Sequence, residues 1–206
     1  IVSEFKGEID IWDVINEVIH TVNWDVAMVE NNAGNDNRYT GKNLIMEKVS
    51  FIDSCFQWAY KANPNAELII NEFNVVASEK ARQNFYDVVK TLLAKKSPVS
   101  GLGIQVHEPF QGKYYYSPEQ IWETYETYAE FNLPLHVTEF IPVSNGDSIK
   151  GIYETGVWTE QVQADFAEMI FTLSYGHPNL KSINWWGFTD KHIWQEGGGL
   201  LDENMK

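Results

Sequence analysis

The sequence has little of what several classes of protein require. Its 206 residues contain one cysteine, Cys55, so an intrachain disulfide is impossible. Only 15 residues are basic against 29 that are acidic, and the net charge of -14 would repel the phosphates of a nucleic acid. No stretch reaches the roughly 18 consecutive apolar residues of a membrane helix. We therefore expect a globular chain with no nucleic-acid partner and no membrane span.

Nucleotide and metal motifs are also missing. No Gly-x-Gly-x-x-Gly follows the first predicted strand, and no phosphate loop occurs, which disfavours nucleotide binding. The five histidines form neither His-Glu-x-x-His nor a cluster with cysteine at ligand spacing. The sequence therefore predicts neither a cofactor nor a metal site.

Aromatic residues are abundant, with eight Trp, ten Tyr and eleven Phe, or 14% of the chain. Aromatic planes pack well on neutral sugar rings, but they also fill protein cores. Only the position of each residue separates these two interpretations. The run Tyr114-Tyr115-Tyr116 illustrates the problem, because it could be a sugar platform or a loop packed on the fold.

Short apolar runs alternate with longer amphipathic ones. This order predicts parallel strands, apolar on both faces and joined by helices, in either an open doubly wound sheet or a (β/α) barrel. The best-defined helix start is at Ser117, where an N-cap serine, a first-turn proline and a capping-box Gln120 coincide. The predicted strands are Ile9 to Asn16, Glu67 to Asn71, Leu102 to Val106, Leu135 to Thr138 and Ser182 to Trp186. The predicted helical faces contain Ile45, Val49, Ile52, Phe56 and Ala59; Phe85, Val88, Val89, Leu92 and Leu93; Tyr125, Tyr128 and Ala129; and Val162, Phe166, Met169, Ile170 and Leu173.

Polar residues stand where three of these strands end. They are Asn16 with Glu17, Gln105 with His107, and Glu139. In a barrel the carboxyl ends of the strands form the face where active sites are built, and the polar stretch 21–42 would lie on that face too. One isolated glutamate would be a solvated loop carboxylate, but two carboxylates accompanied by histidine and tryptophan favour an active site.

Five motifs carry a family resemblance. Residues 12–17 read Trp-Asp-Val-Ile-Asn-Glu, and residues 103–107 read Gly-Ile-Gln-Val-His. Residues 133–139 read Leu-Pro-Leu-His-Val-Thr-Glu, and Asn-Glu-Phe-Asn stands at 71–74. The last motif is Trp-Trp-Gly-Phe-Thr-Asp at 185–190, followed by Trp194. In order and spacing this set resembles glycoside hydrolase family 10, the endo-β-1,4-xylanases.

The resemblance implies a retaining hydrolysis of xylan by double displacement. In it Glu17 is the acid/base that protonates the leaving oxygen, and Glu139 is the nucleophile that forms a glycosyl-enzyme. It also implies that His107 braces Glu139 and that Asn16 contacts the sugar 2-hydroxyl. Gln105 and His107 are two residues apart on a predicted strand, so both would face the barrel mouth. The further substrate-binding residues implied are Gln105, Phe73, Asn74, Trp186 and Trp194.

Two departures from the family pattern matter for function. The family places Asp two residues after the nucleophile, where it orients the histidine, whereas this chain has Ile141. Glu72, at the end of a neighbouring strand, is a possible substitute partner for His107. Phe73 stands where the family has tyrosine and lacks the hydroxyl group. These departures keep open two other functions, a glycosidase for another β-linked glycan and a non-catalytic sugar-binding remnant.

The resemblance further implies a (β/α)8 TIM barrel of which residues 1–206 hold only strands four to eight and their helices. The N-terminal third and the last helix would be missing, and five parallel strands cannot close a barrel. We therefore expect an N-terminal barrel segment from elsewhere, with xylan or xylo-oligosaccharides as the other partner. A polymeric substrate implies secretion or display at the cell surface, although no targeting signal can be read.

Overall fold

The computed structural model describes residues 1–19, 42–107 and 114–206, with side chains from residue 49 onward in the first helix. The polar stretch predicted for the functional face therefore lies outside the described residues, apart from its last residue. The chain divides into two compact units, described separately below. The first is Ile1–Glu72 with Gln83–Gly101, and the second is Phe73–Arg82 with Leu102–Lys206.

The first unit contains two parallel strands. Strand β1 (Ile11–Asn16) pairs with β2 (Glu67–Glu72), so that Ile11 is opposite Glu67 and Asn16 is opposite Asn71. Helix α1 (Lys42–Ala62) connects them, and α2 (Glu79–Ala94) follows β2. The end of β1 at Asn16 therefore lies beside Asn71, the residue next to last in β2.

The second unit repeats this strand–helix alternation. Strand β3 (Gly101–Ile104) is followed by α3 (Pro118–Ala129), β4 (Leu135–Phe140), α4 (Glu160–Gly176) and β5 (Leu180–Trp185). A short 3-10 helix, Asp190–His192, comes after β5. Strand β4 pairs in parallel with both β3 and β5. Every connection between successive strands thus crosses over through a helix, as the alternating pattern predicted.

The predicted helical faces are largely buried, but Leu93, Ala129, Val162, Met169 and Leu173 are only half-buried, and the side chain of Ile45 lies outside the described residues. Val49, Ile52 and Phe56 of α1 are at most 3% exposed, and so are the apolar positions Phe85, Val88, Val89 and Leu92 of α2. The capping box at Ser117 is also confirmed. The Ser117 hydroxyl accepts a hydrogen bond from the backbone N–H of Gln120 at 3.2 Å, and the Gln120 side-chain oxygen accepts one from the backbone N–H of Ser117 at 3.0 Å. Local sequence was sufficient here because both features depend on residues within one or two helical turns.

Two expectations about the strands were wrong in detail. Strands β1 and β5 are not covered on both faces, since Ile11 is 45% exposed and Asn184 is exposed. Among the described residues, β1 pairs with β2 on one side only, and β5 pairs with β4 on one side only. Strand β3 ends at Ile104 rather than Val106, because Val106 takes a left-handed φ of 52° that no strand accommodates.

Within the described part of the chain, no helix is long and apolar enough to cross a membrane.

Candidate active site

The end of β1 presents Asn16 and Glu17. The Glu17 amide donates to the Asn71 carbonyl at 2.9 Å, and the Asn71 side-chain amide donates to Oδ1 of Asn16 at 2.9 Å. Glu17 has a left-handed φ of 58°, a conformation that costs on the order of 1–3 kcal/mol outside glycine and is concentrated at functional sites. Asn16 is exposed and Glu17 partly so, which leaves both side chains within reach of a substrate.

Buried Glu72 fixes the chain just beyond Glu17. Its side chain is fully buried, and Oε2 accepts the Ile19 amide at 2.7 Å. Hydrogen bonds from backbone N–H groups stabilise a buried carboxylate. Glu72 therefore holds the segment that follows the candidate acid/base.

The second unit brings His107 and Glu139 together. Nε2 of His107 lies 3.1 Å from Oε2 of Glu139, and the two side chains are 4% and 12% exposed. Glu139 stands next to last in β4, and His107 lies three residues beyond β3. An N–H donor at this distance stabilises an ionised carboxylate and fixes its orientation.

Gln105 and His107 reach their positions differently from the prediction. Both are buried, but they lie beyond the end of β3, and the left-handed Val106 separates them. Strand alternation therefore cannot orient the two side chains, and the argument that both face the barrel mouth for that reason fails. A β-branched residue in this conformation is strained, which again marks the segment as one held for function.

The other nitrogen of His107, Nδ1, is buried without a hydrogen-bond partner among the described residues. Ile141, only 5% exposed, lines the same cleft as His107 and has no acceptor to offer. The hypothesis that Glu72 orients His107 stays a prediction, because the two residues belong to different units.

Aromatic rings surround His107. Phe73 stacks near it with ring centroids 6.4 Å apart and planes at 13°, while Trp194 meets it edge-on at 5.6 Å and 75°. Trp194 is 51% exposed, as is Trp186 at 47%. Asn74, next to Phe73, has a left-handed φ of 59° and is partly exposed. The second unit therefore joins Phe73, His107, Glu139 and Trp194 in one cluster.

One contributor was missed at the sequence level. Arg82 is 8% exposed, and its Nη1 donates to Thr124 Oγ1 at 3.0 Å and to the Val75 and Val76 carbonyls at 3.3 and 3.5 Å. It thereby anchors the loop that carries Phe73. A signal did exist, because Arg82 lies on the same buried face of α2 as Phe85 and Val89, three and seven positions later. A charged residue is unusual on such a face.

The described residues contain no group of three or more His, Cys, Asp or Glu side chains arranged to hold a metal ion.

Comparison with known proteins identifies relatives that match this chain over its whole length. The sequence profile of glycosyl hydrolase family 10 matches residues 1–206. Endo-1,4-beta-xylanase B of Thermotoga neapolitana is 30% identical over 200 residues, which cover 96% of this chain and 51% of that protein. Endo-1,4-beta-xylanase of Geobacillus stearothermophilus is 28% identical over 198 residues, which cover 94% of this chain and 55% of that protein. The chain spans about half the length of the curated relatives it matches.

Solved structures agree with this assignment. Xylanase 10B of Thermotoga maritima superposes with a TM-score of 0.73 at 28% identity, covering 100% of this chain and 59% of that one. Xylanase 10B of Thermotoga petrophila, solved in complex with xylobiose, superposes with a TM-score of 0.72 at 26% identity. The match covers 100% of this chain and 58% of that one. The parallel strands and intervening helices are those of a partial (β/α)8 barrel. The chain belongs to glycosyl hydrolase family 10 and corresponds to the C-terminal portion of its relatives.

Proposed function

We propose that this chain supplies both catalytic carboxylates of an endo-β-1,4-xylanase that retains anomeric configuration. The observation that carries the proposal is the hydrogen bond of 3.1 Å between Nε2 of His107 and Oε2 of Glu139 at the end of β4. A nucleophilic carboxylate must be ionised and fixed in direction, and a buried imidazole donor serves both needs. Glu17 is the second carboxylate, held at the end of β1 by its strained backbone and its bond to Asn71.

The reaction takes two displacements. In the first, a Glu139 oxygen attacks the anomeric carbon while Glu17 gives its proton to the glycosidic oxygen, and the carbon–oxygen bond to the leaving sugar breaks. In the second, Glu17 removes a proton from water, whose oxygen attacks the same carbon and displaces Glu139. Each step inverts the configuration, so that the product retains it.

The remaining residues hold the sugar. Asn16 is exposed beside Glu17 and is proposed to bind the 2-hydroxyl group, a contact that strengthens at the transition state. Trp186 and Trp194 expose about half their surface, which suits packing against pyranose rings. Phe73, Asn74 and Gln105 are proposed as the other binding residues.

The proposed activity is that of the protein that contains this chain, because the chain spans about half of each relative. The relatives are named as xylanases, and one solved relative holds xylobiose. A polymeric substrate too large to enter a cell would require secretion or surface display, which we propose for this protein.

Reducing-sugar release from xylan, β-glucan and galactan tests the proposal against two alternatives. We expect release from xylan, with the β-anomer formed first in proton NMR spectra of the products. Release from another glycan only would replace xylan as the substrate. Nδ1 of His107 has no hydrogen-bond partner among the described residues, and Ile141 of the same cleft offers no acceptor, which favours the second alternative, a sugar-binding protein without activity. That alternative predicts xylan binding without release, and the same samples measured by calorimetry would detect it.

A further inference from the structure

The loop between β4 and α4 is an ordered ribbon. Over residues 147–158 two short segments run antiparallel. The Ile149 amide donates to the Gly156 carbonyl at 3.0 Å, and the Trp158 amide donates to the Asp147 carbonyl at 2.8 Å. The base of the ribbon is therefore fixed by its own backbone hydrogen bonds, although the segment belongs to neither regular strand nor helix.

The ribbon completes a stack of three aromatic rings. The centroids of Tyr153 and Tyr115 are 5.9 Å apart with planes at 24°, and those of Tyr115 and Trp158 are 5.7 Å apart, also at 24°. Phe166 of α4 lies under Tyr115 at 4.7 Å. Trp158 is 1% exposed and Tyr115 is 9% exposed, whereas Tyr153 is 51% exposed. Tyr153 is thus the outermost ring, backed by Tyr115 on one face and open to solvent elsewhere.

Backbone contacts hold this arrangement from the other side as well. The Tyr115 amide donates to the Lys150 carbonyl at 3.1 Å, which ties the segment before α3 to the ribbon. Gly151 passes so close that a Cβ there would lie 3.3 Å from the Tyr115 carbonyl oxygen. A ring held in this way loses little conformational entropy when a ligand packs on it.

The two neighbouring tyrosines do not share this exposure. Tyr116 is 4% exposed, and Tyr114 stacks on it at 6.2 Å with planes at 4°. The interpretation of the tyrosine run as loop packing is therefore confirmed for Tyr115 and Tyr116. The surface available to a ligand belongs to Tyr153, which the sequence reasoning did not select.

The stack is continuous with the candidate active site. Trp158 and Phe166 line the same small cleft as His107 and Ile141. In a (β/α) barrel the loops that follow the strands form the substrate-binding face, and the ribbon directly follows β4. Tyr153, on the ribbon between β4 and α4, therefore lies on the same face as Glu139.

We propose that Tyr153 is an additional sugar-binding platform, on which a pyranose ring of a long β-linked glycan chain packs at a distance from the bond being cut. The proposal rests on the proposed function for the choice of glycan. A neutral polysaccharide suits a surface with an exposed aromatic face on a protein of net charge -14, which disfavours anionic ligands.

The test is calorimetric titration in a Glu139→Gln background, which prevents turnover, with xylobiose, xylohexaose and soluble xylan. We expect Tyr153→Ala to weaken binding of the two long ligands by roughly three- to tenfold, with a smaller loss for xylobiose. Tyr153→Phe keeps the ring and should bind as the parent does. Tyr175→Ala is the matched control, because Tyr175 is 96% exposed at the far end of α4, away from the loops that follow the strands.

Two results would overturn the platform: affinities of Tyr153→Ala equal to those of Tyr175→Ala, or an equal loss for xylobiose and xylohexaose. Thermal melting of each variant separates a folding defect from lost contact. If the wild type does not cleave xylan and the Glu139→Gln parent does not bind it, the proposed function fails by itself. The same variants titrated with β-glucan and galactan then decide the platform, since Tyr153→Ala must weaken binding of whichever long glycan the parent binds.

Discussion

His107 contacts Glu139 through one ring nitrogen, while the other has no partner within the described part of the chain. Nε2 lies 3.1 Å from Oε2 of Glu139, and Nδ1 is buried with no hydrogen-bond partner among the described residues. A proton on Nδ1 would be a buried donor without an acceptor, which costs roughly 1–3 kcal/mol. The tautomer with its single proton on Nε2 satisfies the bond to Glu139 and avoids that cost.

Replacing Ile141 with aspartate should change the protonation of this ring. Ile141 lines the same cleft as His107, so Ile141→Asp offers an acceptor for a proton on Nδ1. We expect the ¹⁵N spectrum of the variant to show a hydrogen-bonded proton on Nδ1, which the wild type should lack. Ile141→Val, which stays apolar, should give the wild-type spectrum. A wild-type ring already protonated at Nδ1 would contradict the argument.

The two proposed catalytic glutamates should be indispensable. Loss of a positioned proton donor costs about 10²–10⁴-fold, so Glu17→Gln should reduce xylan hydrolysis by that range. Glu139→Gln should cost more, because it removes the group that forms the covalent intermediate. Glu168→Gln, an exposed carboxylate on α4, is the control and should retain wild-type rates. Wild-type turnover by either of the first two variants would remove that residue from the mechanism.

Azide can assign the two roles separately. With an activated aryl xyloside, azide should restore activity to Glu139→Ala by attack from the side that the nucleophile vacates, giving an α-glycosyl azide. In Glu17→Ala, azide should instead attack the glycosyl-enzyme and give the β-anomer, since two inversions then occur. NMR spectra of the products distinguish the anomers. The same anomer from both variants would show that the roles are wrongly assigned.

Much of the fold was predictable because it depends on short-range pattern. The buried faces of α1 and α2 and the capping box at Ser117 involve residues within one or two turns of each other, and the alternation of elements indicated parallel crossovers. The positions of Glu17 and Glu139 at strand ends were equally readable, whereas His107 lies three residues beyond the end of β3.

What could not be predicted depends on backbone conformation and distant contacts. The left-handed Glu17 and Val106 carry no sequence signal, since neither is a residue type that favours that region. The stack of Tyr153 on Tyr115 joins two loops separated by a helix and a strand, and only the folded chain brings them together. Arg82 could have been suspected from its place on a buried helical face, but its partners could not.

Arg82 should prove important for the stability of the loop that carries Phe73. Arg82→Met keeps the aliphatic stem but leaves the Val75 and Val76 carbonyls without their donor, and we expect a loss of about 2–3 kcal/mol in the free energy of unfolding. Urea unfolding measures it. Glu123→Gln is the control: its carboxylate contacts Arg82 at 3.6 Å but is 67% exposed, so removal should cost less than about 1 kcal/mol. Equal losses in both variants would show that the loop contacts are unimportant.

His177 is a buried histidine at the C-terminus of α4. It is 2% exposed, its Nδ1 accepts the Asn179 amide at 3.3 Å, and the Trp122 and Tyr125 rings meet it edge-on at 5.0 and 5.5 Å. Burial lowers the pKa of His177 below its ordinary value of 6.5, and nearby Glu126, with Oε1 3.5 Å from Nε2, opposes this only in part. The folded protein therefore holds His177 neutral at a pH where the unfolded chain already protonates it.

This difference predicts that stability falls on acidification. Between pH 6.5 and the lower folded pKa of His177 the unfolded state binds more protons, so the free energy of unfolding decreases as pH falls, by at most about 1.4 kcal/mol per pH unit, and levels off below the folded pKa. His177→Asn can still accept the Asn179 amide but does not titrate. We expect it to be less stable than the wild type at pH 7.5, because ring packing is lost, and to lose less stability on going to pH 5.5. His192→Asn, an exposed site, should keep the wild-type pH dependence. Urea unfolding of the three proteins at both pH values gives the comparison, and an unchanged difference in His177→Asn would show that another group causes the acid sensitivity.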